Sequence, residues 1–249
     1  MKLNPDKCRV IHYKANRIQN RDNRTYYICN SDKTKTKILP SVMERDLGVM
    51  VTSDSKWKNQ TQLAINKARA SLGRIRNSFK YFDHNIVKII YPTFVRPHIE
   101  YGVQVWNPQT KIEIKNLEKL QKKSIDLATD LKNLSYEEKL DKLELTTHKL
   151  RRKRGDFIQI FKKIKNFEKI NFLKNVETIN RVNLRGHSLR IHRETDTKHI
   201  ARTNFITNRI PTEWNSLPAQ VVESDSVNEF KNKFDKYIKT NKHRQSIYC

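Results

Sequence analysis

The stretch from Tyr91 to Pro108 constrains the fold more than any other part of this 249-residue chain. It reads Tyr-Pro-Thr-Phe-Val-Arg-Pro-His-Ile-Glu-Tyr-Gly-Val-Gln-Val-Trp-Asn-Pro, the most aromatic and least charged run in a very basic protein. Phe94, Val95, Ile99, Val103 and Trp106 recur at helical spacing, which predicts one face turned to a core. Pro92 and Pro97 predict a break of one long helix into two, with Arg96, His98 and Glu100 at the bend. Charged segments with helical periodicity lie on both sides, so the expected arrangement is a buried helical hairpin between basic helices.

Composition narrows the partners. Lys and Arg number 51 against 26 Asp and Glu, a formal charge of +25, and the hydrophobic content of 36% still suffices for a core. Such an excess suits a polyanion, nucleic acid before an anionic membrane surface. No run of 18 apolar residues and no lipidation signal favours a membrane. Met1 to Lys7 lack an apolar signal region, and Cys8, Cys29 and Cys249 form no disulfide framework or zinc pattern. An intracellular location is expected, cytoplasmic or nuclear, with no metal ligands and no cofactor. Five glycines leave no room for a Gly-rich phosphate loop.

Along the chain, Cys8–Tyr13, Thr25–Cys29, Lys37–Leu39 and Asp46–Val51 read as short strands of a small antiparallel patch. Asn16–Asn23 reads as a turn. Trp57–Phe79 reads as a helix with Ser53–Ser55 as cap candidates and Lys58, Lys67, Arg69, Arg74, Arg76 and Lys80 along it. Asp83 caps the next helix. Tyr81-Phe82-Asp83-His84 has only one carboxylate and opens a helix, so it is no catalytic turn. Thr110–Thr129 forms a further helix with Lys111, Lys115, Lys119, Lys122 and Lys123 on its wet side. Ser135-Tyr136-Glu137-Glu138 is a capping box. A helix from Thr146 or Thr147 carries the densest basic block, Arg151, Arg152, Lys153 and Arg154. Asn166–Val182 reads as a loop, Phe205–Trp214 as a helix, and Ser226 as the cap of a last helix striped with Val227, Phe230, Phe234 and Ile238. The fold class is therefore mainly α with a minor β portion at the start.

Several elements, in order, resemble the region after the catalytic core in reverse transcriptases of LINE-type (non-LTR) retrotransposons, in particular the chicken-repeat and jockey-like group. They are Asn4-Pro5-Asp6-Lys7-Cys8, Asp46-Leu47-Gly48-Val49, Val95-Arg96-Pro97, Trp106-Asn107-Pro108, Tyr136-Glu137-Glu138, Arg154-Gly155-Asp156, Arg185-Gly186-His187-Ser188 and Trp214-Asn215-Ser216-Leu217-Pro218. The resemblance implies a palm remnant over 1–56, a thumb-like helical domain over 57–146 and a basic C-terminal helical region over 147–249. It implies that Lys7 lies near nucleotide phosphates, that the Leu-Gly hairpin holds a primer end, and that the helix from Trp57 packs beside a primer–template duplex.

The implied function is that of the C-terminal part of an RNA-directed DNA polymerase. The carboxylates that bind two Mg²⁺ ions would lie before residue 1, so this chain would retain only sequence-nonspecific binding of an RNA or DNA duplex, with Met1 a start within older coding sequence. The expected contact residues are Lys7, Arg69, Arg74, Arg76, Arg96, Arg151, Arg152, Lys153 and Arg154. The alternative is a basic helical module that binds protein and uses its cations for solubility. A third class, an intact small enzyme, lacks a nucleophile–base constellation or a metal-ligand cluster.

Overall fold

The computed structural model describes residue 4 and residues 7–13, 24–29, 33–108, 110–169, 186–193 and 200–240. The reading of Asn16–Asn23 as a turn, most of the loop after Lys169, Arg185 and the basic end beyond Thr240 lie outside the described residues. The chain divides into two compact units, Met1–His148 and Lys149–Cys249. Helices dominate both.

The first unit opens with strands β1 (Arg9–Ile11), β2 (Tyr26–Cys29), β3 (Lys35–Ser41), β4 (Met43–Asp46) and β5 (Val49–Thr52). The pairs β2–β3 and β4–β5 are antiparallel, as expected; β1 instead runs parallel to β3, which makes the three-stranded sheet β1-β3-β2 mixed. Pro40 is tolerated in β3 because β2 pairs only as far as Ile38, so one side of the strand is already open there. The sequence Asp46–Val51 reads as one strand, but Leu47 and Gly48 form a two-residue turn with φ of 43° and 84°. Two successive left-handed residues match the twist of a tight hairpin, and glycine supplies one at no steric cost.

Helix α1 (Lys58–Ser78) comes next. Its N-cap is Trp57, without a side-chain cap bond, and none of the three residues at 53–55 serves. Asp54 accepts instead from the Thr52 hydroxyl and the Lys56 N–H, and these bonds hold its carboxyl below the usual range. The turn is thereby closed before the helix begins. Helix α2 (His84–Ile90) is capped by Asp83, whose carboxylate accepts from the Ile86 N–H at 2.8 Å.

The two prolines do not interrupt the helical path beyond α2. A π-helical turn over Tyr91–Val95 leads directly into α3 (Arg96–Glu100). The wider turn, closed by Arg96 N–H donating to the Tyr91 carbonyl, accommodates Pro92, which lacks an N–H and would clash in a regular helix. Pro97 sits in the first turn of α3, where its missing N–H costs nothing. The chain turns at Gly102 instead, at φ 63°, before α4 (Val103–Trp106). Trp106 is fully buried and its indole N–H donates to the Tyr101 carbonyl at 2.7 Å, so the Tyr-Gly-(x)-(x)-(x)-Trp spacing fixes the corner.

Helix α5 (Lys111–Ile125) and helix α6 (Tyr136–Lys142) both start in capping boxes, Thr110 with Glu113 and Ser135 with Glu138. The core of this unit gathers Ala64, Ile65 and Ala68 of α1, Val95, Ile99 and Trp106 of the central stretch, and Leu117, Leu120 and Ile125 of α5. Within it the Tyr91 hydroxyl donates to Gln121 Oε1 at 2.9 Å and lies 2.8 Å from His148 Nε2. Burial pushes the Tyr91 phenol well above its ordinary pKa, so it stays neutral.

The second unit is built on α7 (His148–Ile164), which starts at the boundary and runs unbroken through Gly155. Around it are α8 (Ile200–Thr203), α9 (Ile206–Arg209), α10 (Pro211–Trp214), α11 (Ala219–Val222) and α12 (Val227–Thr240). The expected helix over 205–214 is two short turns, divided where Pro211 has no N–H to continue the first. Ser226 caps α12 as expected, its hydroxyl accepting from Glu229 N–H. The core is aromatic: the Phe161 and Phe230 rings stack at 4.4 Å, and the Phe157 and Phe234 centroids lie 5.0 Å apart. Trp214 is fully buried and donates to the Leu189 carbonyl. Asn215 both accepts from Ile191 N–H and donates to Ile191 C=O, standing in for a neighbouring strand just after the Gly-His-Ser segment.

Candidate nucleic-acid interface

No Asp or Glu lies between Asp54 and Asp83, so α1 has no carboxylate of its own. Its buried side carries Gln60, Thr61, Ala64, Ile65, Ala68, Ser71 and Ile75. At about 100° per residue, Lys58, Arg69 and Arg76 fall on one edge of the opposite, exposed side, and Lys67 and Arg74 on the other. All five are exposed. Between the two edges run Asn59, Gln62, Asn66, Ala70, Gly73 and Asn77, mostly small and amide side chains, with the half-buried Leu63 next to the Lys67–Arg74 edge. A Cβ placed on Gly73 would meet nothing within 4 Å. Glycine in the middle of a helix is unfavourable, and among the described residues no packing calls for it.

One of these cations is anchored, and its partner is a neutral group. Arg74 donates to Ser71 Oγ at 3.1 Å, and that oxygen lies 2.9 Å from His98 Nε2. This ties the guanidinium to α3 without cancelling its charge. The face spans about 27 Å from Lys58 to Arg76. Chemically it is two rows of cations separated by a surface that permits close approach.

The hairpin that precedes α1 is fixed to this region. Met50 N–H donates to Gln60 Oε1 at 2.7 Å, and the Tyr101 hydroxyl donates to the Leu47 carbonyl at 2.8 Å. The Tyr101 ring packs on Gly48, where a Cβ would sit 3.2 Å from the ring, and Gly102 faces Val49 at the same distance. The Leu47-Gly48 and Tyr101-Gly102 pairs, distant in sequence, thus form one clamp. Leu47 at its tip is 85% exposed. Sequence reasoning finds both elements but not their contact, for which spacing carries no signal.

The remaining expected contact residues are placed differently. Lys7 is exposed at a turn closed by its N–H on the Asn4 carbonyl, and Pro5 and Asp6 lie outside the described residues. Arg96 is half-buried and pairs with Glu100 at 3.7 Å. The basic block of α7 is not an open surface. Arg154 makes a bidentate pair with Asp235 at 2.6 and 2.7 Å. Lys153 pairs with Glu213. Arg152 is buried and its charge acts on Asp156, and Arg151 is half-buried. Burial and the adjacent Lys149 push the Lys153 ammonium below its ordinary value. Of the four expected contact residues in this block, Lys153 and Arg154 are therefore tied to carboxylates of other helices.

Asp156 itself is the buried partner of Arg209, which donates from Nε at 2.8 Å and Nη2 at 2.6 Å. Burial raises its carboxyl, with Arg209 opposing. The Arg-Gly-Asp element is therefore a structural joint between α7 and α9. His187 Nε2 donates to the Trp214 carbonyl at 3.0 Å, and Ser188 donates to Glu223, so the Gly-His-Ser segment is likewise internal bracing.

Among the described residues no group of His, Cys, Asp and Glu could hold a metal ion, and no helix is long and apolar enough to cross a membrane. Comparison with protein-family models, curated proteins and solved structures finds no match for this chain.

Proposed function

We propose that the chain binds a nucleic-acid duplex through the open face of α1, without regard to base sequence, as the thumb-like part of a LINE-type reverse transcriptase. The observation that carries this reading is the pairing of two uncompensated cation rows across a low ridge. Each row can neutralise phosphates of one backbone strand, while the ridge of Asn66, Ala70 and Gly73 lets the helix approach the groove. The ordered sequence motifs, from the Leu-Gly turn to Trp-Asn-Ser-Leu-Pro, support the polymerase origin. The location of the Leu-Gly hairpin beside the N-terminal half of α1 agrees with it.

The test is duplex binding by the full chain across a salt series. The parent should bind duplexes of unrelated sequence alike, with log Kd rising steeply with log salt. Lys58→Gln, Arg69→Gln and Arg76→Gln together should reduce the slope by roughly 2–3, about 0.9 for each phosphate that is no longer neutralised. Absence of salt-dependent duplex binding by the folded parent would leave the protein-interaction module as the better reading.

A further inference from the structure

We infer that the lysine row of α5 is a second surface, a track for the phosphate backbone of a single nucleic-acid strand. Lys111, Lys115, Lys119 and Lys122 succeed one another at intervals of four, four and three residues, so they form one line along the helix. All four are exposed. Successive positions rise by about 4.5–6 Å along the axis, and the row runs about 16 Å. Lys123 stands beside its end.

What makes the row unusual is the fate of the nearby carboxylates. Glu113 is buried in the capping box, its carboxylate accepting from Thr110 N–H. Glu118 accepts from the Tyr136 hydroxyl at 3.0 Å and from His148 N–H at 3.1 Å. Asp126, just past the helix end, holds Lys139 at 2.6 Å. Asp126 is thus ion-paired, and the bonds that hold Glu118 come from neutral donors that leave its charge in place beside Lys115 and Lys122. Among the described residues the lysines of α5 make no ion pair within 4 Å, and they outnumber the acids on their face. Four lysines against the single carboxylate of Glu118 leave the line positive, and like charges at these spacings work against the helix, so an external anion would stabilise it.

The geometry selects the anion. On α1 the cations stand at both edges of a face; on α5 they form one line with no second row to meet a second strand. A membrane surface fits less well. The apolar side of α5, with Leu117, Leu120 and Ile125, is buried in the core, and Ile112 is the one large exposed apolar side chain on the helix. An interfacial helix needs that apolar side free to enter the lipid. The row does not depend on the duplex reading of α1, and either can stand without the other.

The experiment uses the full chain, a mixed-sequence single-stranded oligonucleotide, the matching duplex, and phosphatidylserine-containing vesicles. Lys111→Gln, Lys115→Gln, Lys119→Gln and Lys122→Gln together should weaken single-strand binding about tenfold or more near 0.1 M salt. They should make the salt slope shallower by roughly 2–3, since each single-strand contact contributes about 0.7. The same positions changed to Arg should restore binding. Circular dichroism checks that helicity is kept, and the pair Lys115→Gln with Lys119→Gln carries the test, at about half the slope change, if the fourfold variant loses helix. Lys58→Gln, Arg69→Gln and Arg76→Gln should leave the effect of the α5 substitutions on single strands in place. An unchanged single-strand slope in the α5 variant overturns the inference. So does row-dependent binding to vesicles without row-dependent binding to the oligonucleotide. Loss of duplex binding alone in the α1 variant, or its absence in the parent, bears on the duplex reading only.

Discussion

Helices α1 and α7 are both rich in Lys and Arg, and what surrounds those cations differs. On α1, Lys58, Lys67, Arg69 and Arg76 stand exposed in a segment without a carboxylate. On α7, Arg154 is gripped by Asp235 and Lys153 by Glu213, and the same helix contributes Asp156 to Arg209. Those partners come from α12, α10 and α9, up to 81 residues away. A cation count along a helix therefore says little about available positive charge. What decides is whether the fold returns a carboxylate to the same place. At Lys153 and Arg154 of the denser block, a new anion would have to compete with Glu213 and Asp235.

The sharpest way to break this comparison is Asp156→Ala. It leaves Arg209 largely buried beside an empty site, and loss of one partner of a buried pair typically costs about 3–5 kcal/mol. Urea unfolding of the full chain should show the loss in the transition that reports on the second unit. A change within about 0.5 kcal/mol would mean that the pair is not a structural joint.

Arg154→Gln comes next. Its pair with Asp235 is bidentate but partly exposed, 29% and 43%, so solvent screening reduces its contribution to about 1 kcal/mol. The matched substitution on α1, Arg69→Gln, removes no intramolecular partner and should leave stability within about 0.5 kcal/mol. Equal effects at the two positions would erase the distinction between the helices.

Local chemistry makes much of this fold legible. Asp83, Ser135 with Glu138, and Ser226 read as caps because each bonds an N–H only three residues away along the chain. The Phe230, Phe234 and Ile238 stripe is readable because a helical period of about 3.6 places them on one side. The π turn at Pro92 is not, since the proline rule forecasts a break and is silent on whether a wider turn absorbs the ring. Leu47 reads as part of a strand because a leucine at positive φ is rare. For the candidate interface, helical setting alone locates the α1 arginines. The engagement of the α7 block is hidden, because Asp235 and Glu213 give no sign in sequence of which cation they meet.

Gly73→Ala tests whether the middle of the α1 face is as open as the structure describes it. Nothing surrounds the site and the residue lies inside a helix, so alanine should raise stability by about 0.5–1 kcal/mol. A loss of stability would show that something packs there.

The smallest effect expected is one of pH, at a carboxylate paired close along its own helix. Glu229 sits in the first turn of α12, where the Lys233 ammonium and then the Asp225 N–H hold its carboxyl below the ordinary 4.5. Its folded pKa is lower than its unfolded one, so the folded protein binds fewer protons at this site in the interval between the two. The contribution is therefore fully present above about pH 4.5 and is lost as pH falls through the lowered folded value. Glu229→Gln should melt below the parent at neutral pH, and the two curves should converge on acidification. Asp156 works in the opposite sense. Burial raises its carboxyl, so stability from that site falls as pH climbs from the unfolded 3.8 through the raised folded value. Comparing Glu229→Gln with its parent at each pH cancels the Asp156 contribution, which both share. A gap between the two that stays constant as far into acid as the protein remains folded would mean that Glu229 acts through packing and hydrogen bonding, with its charge playing no part.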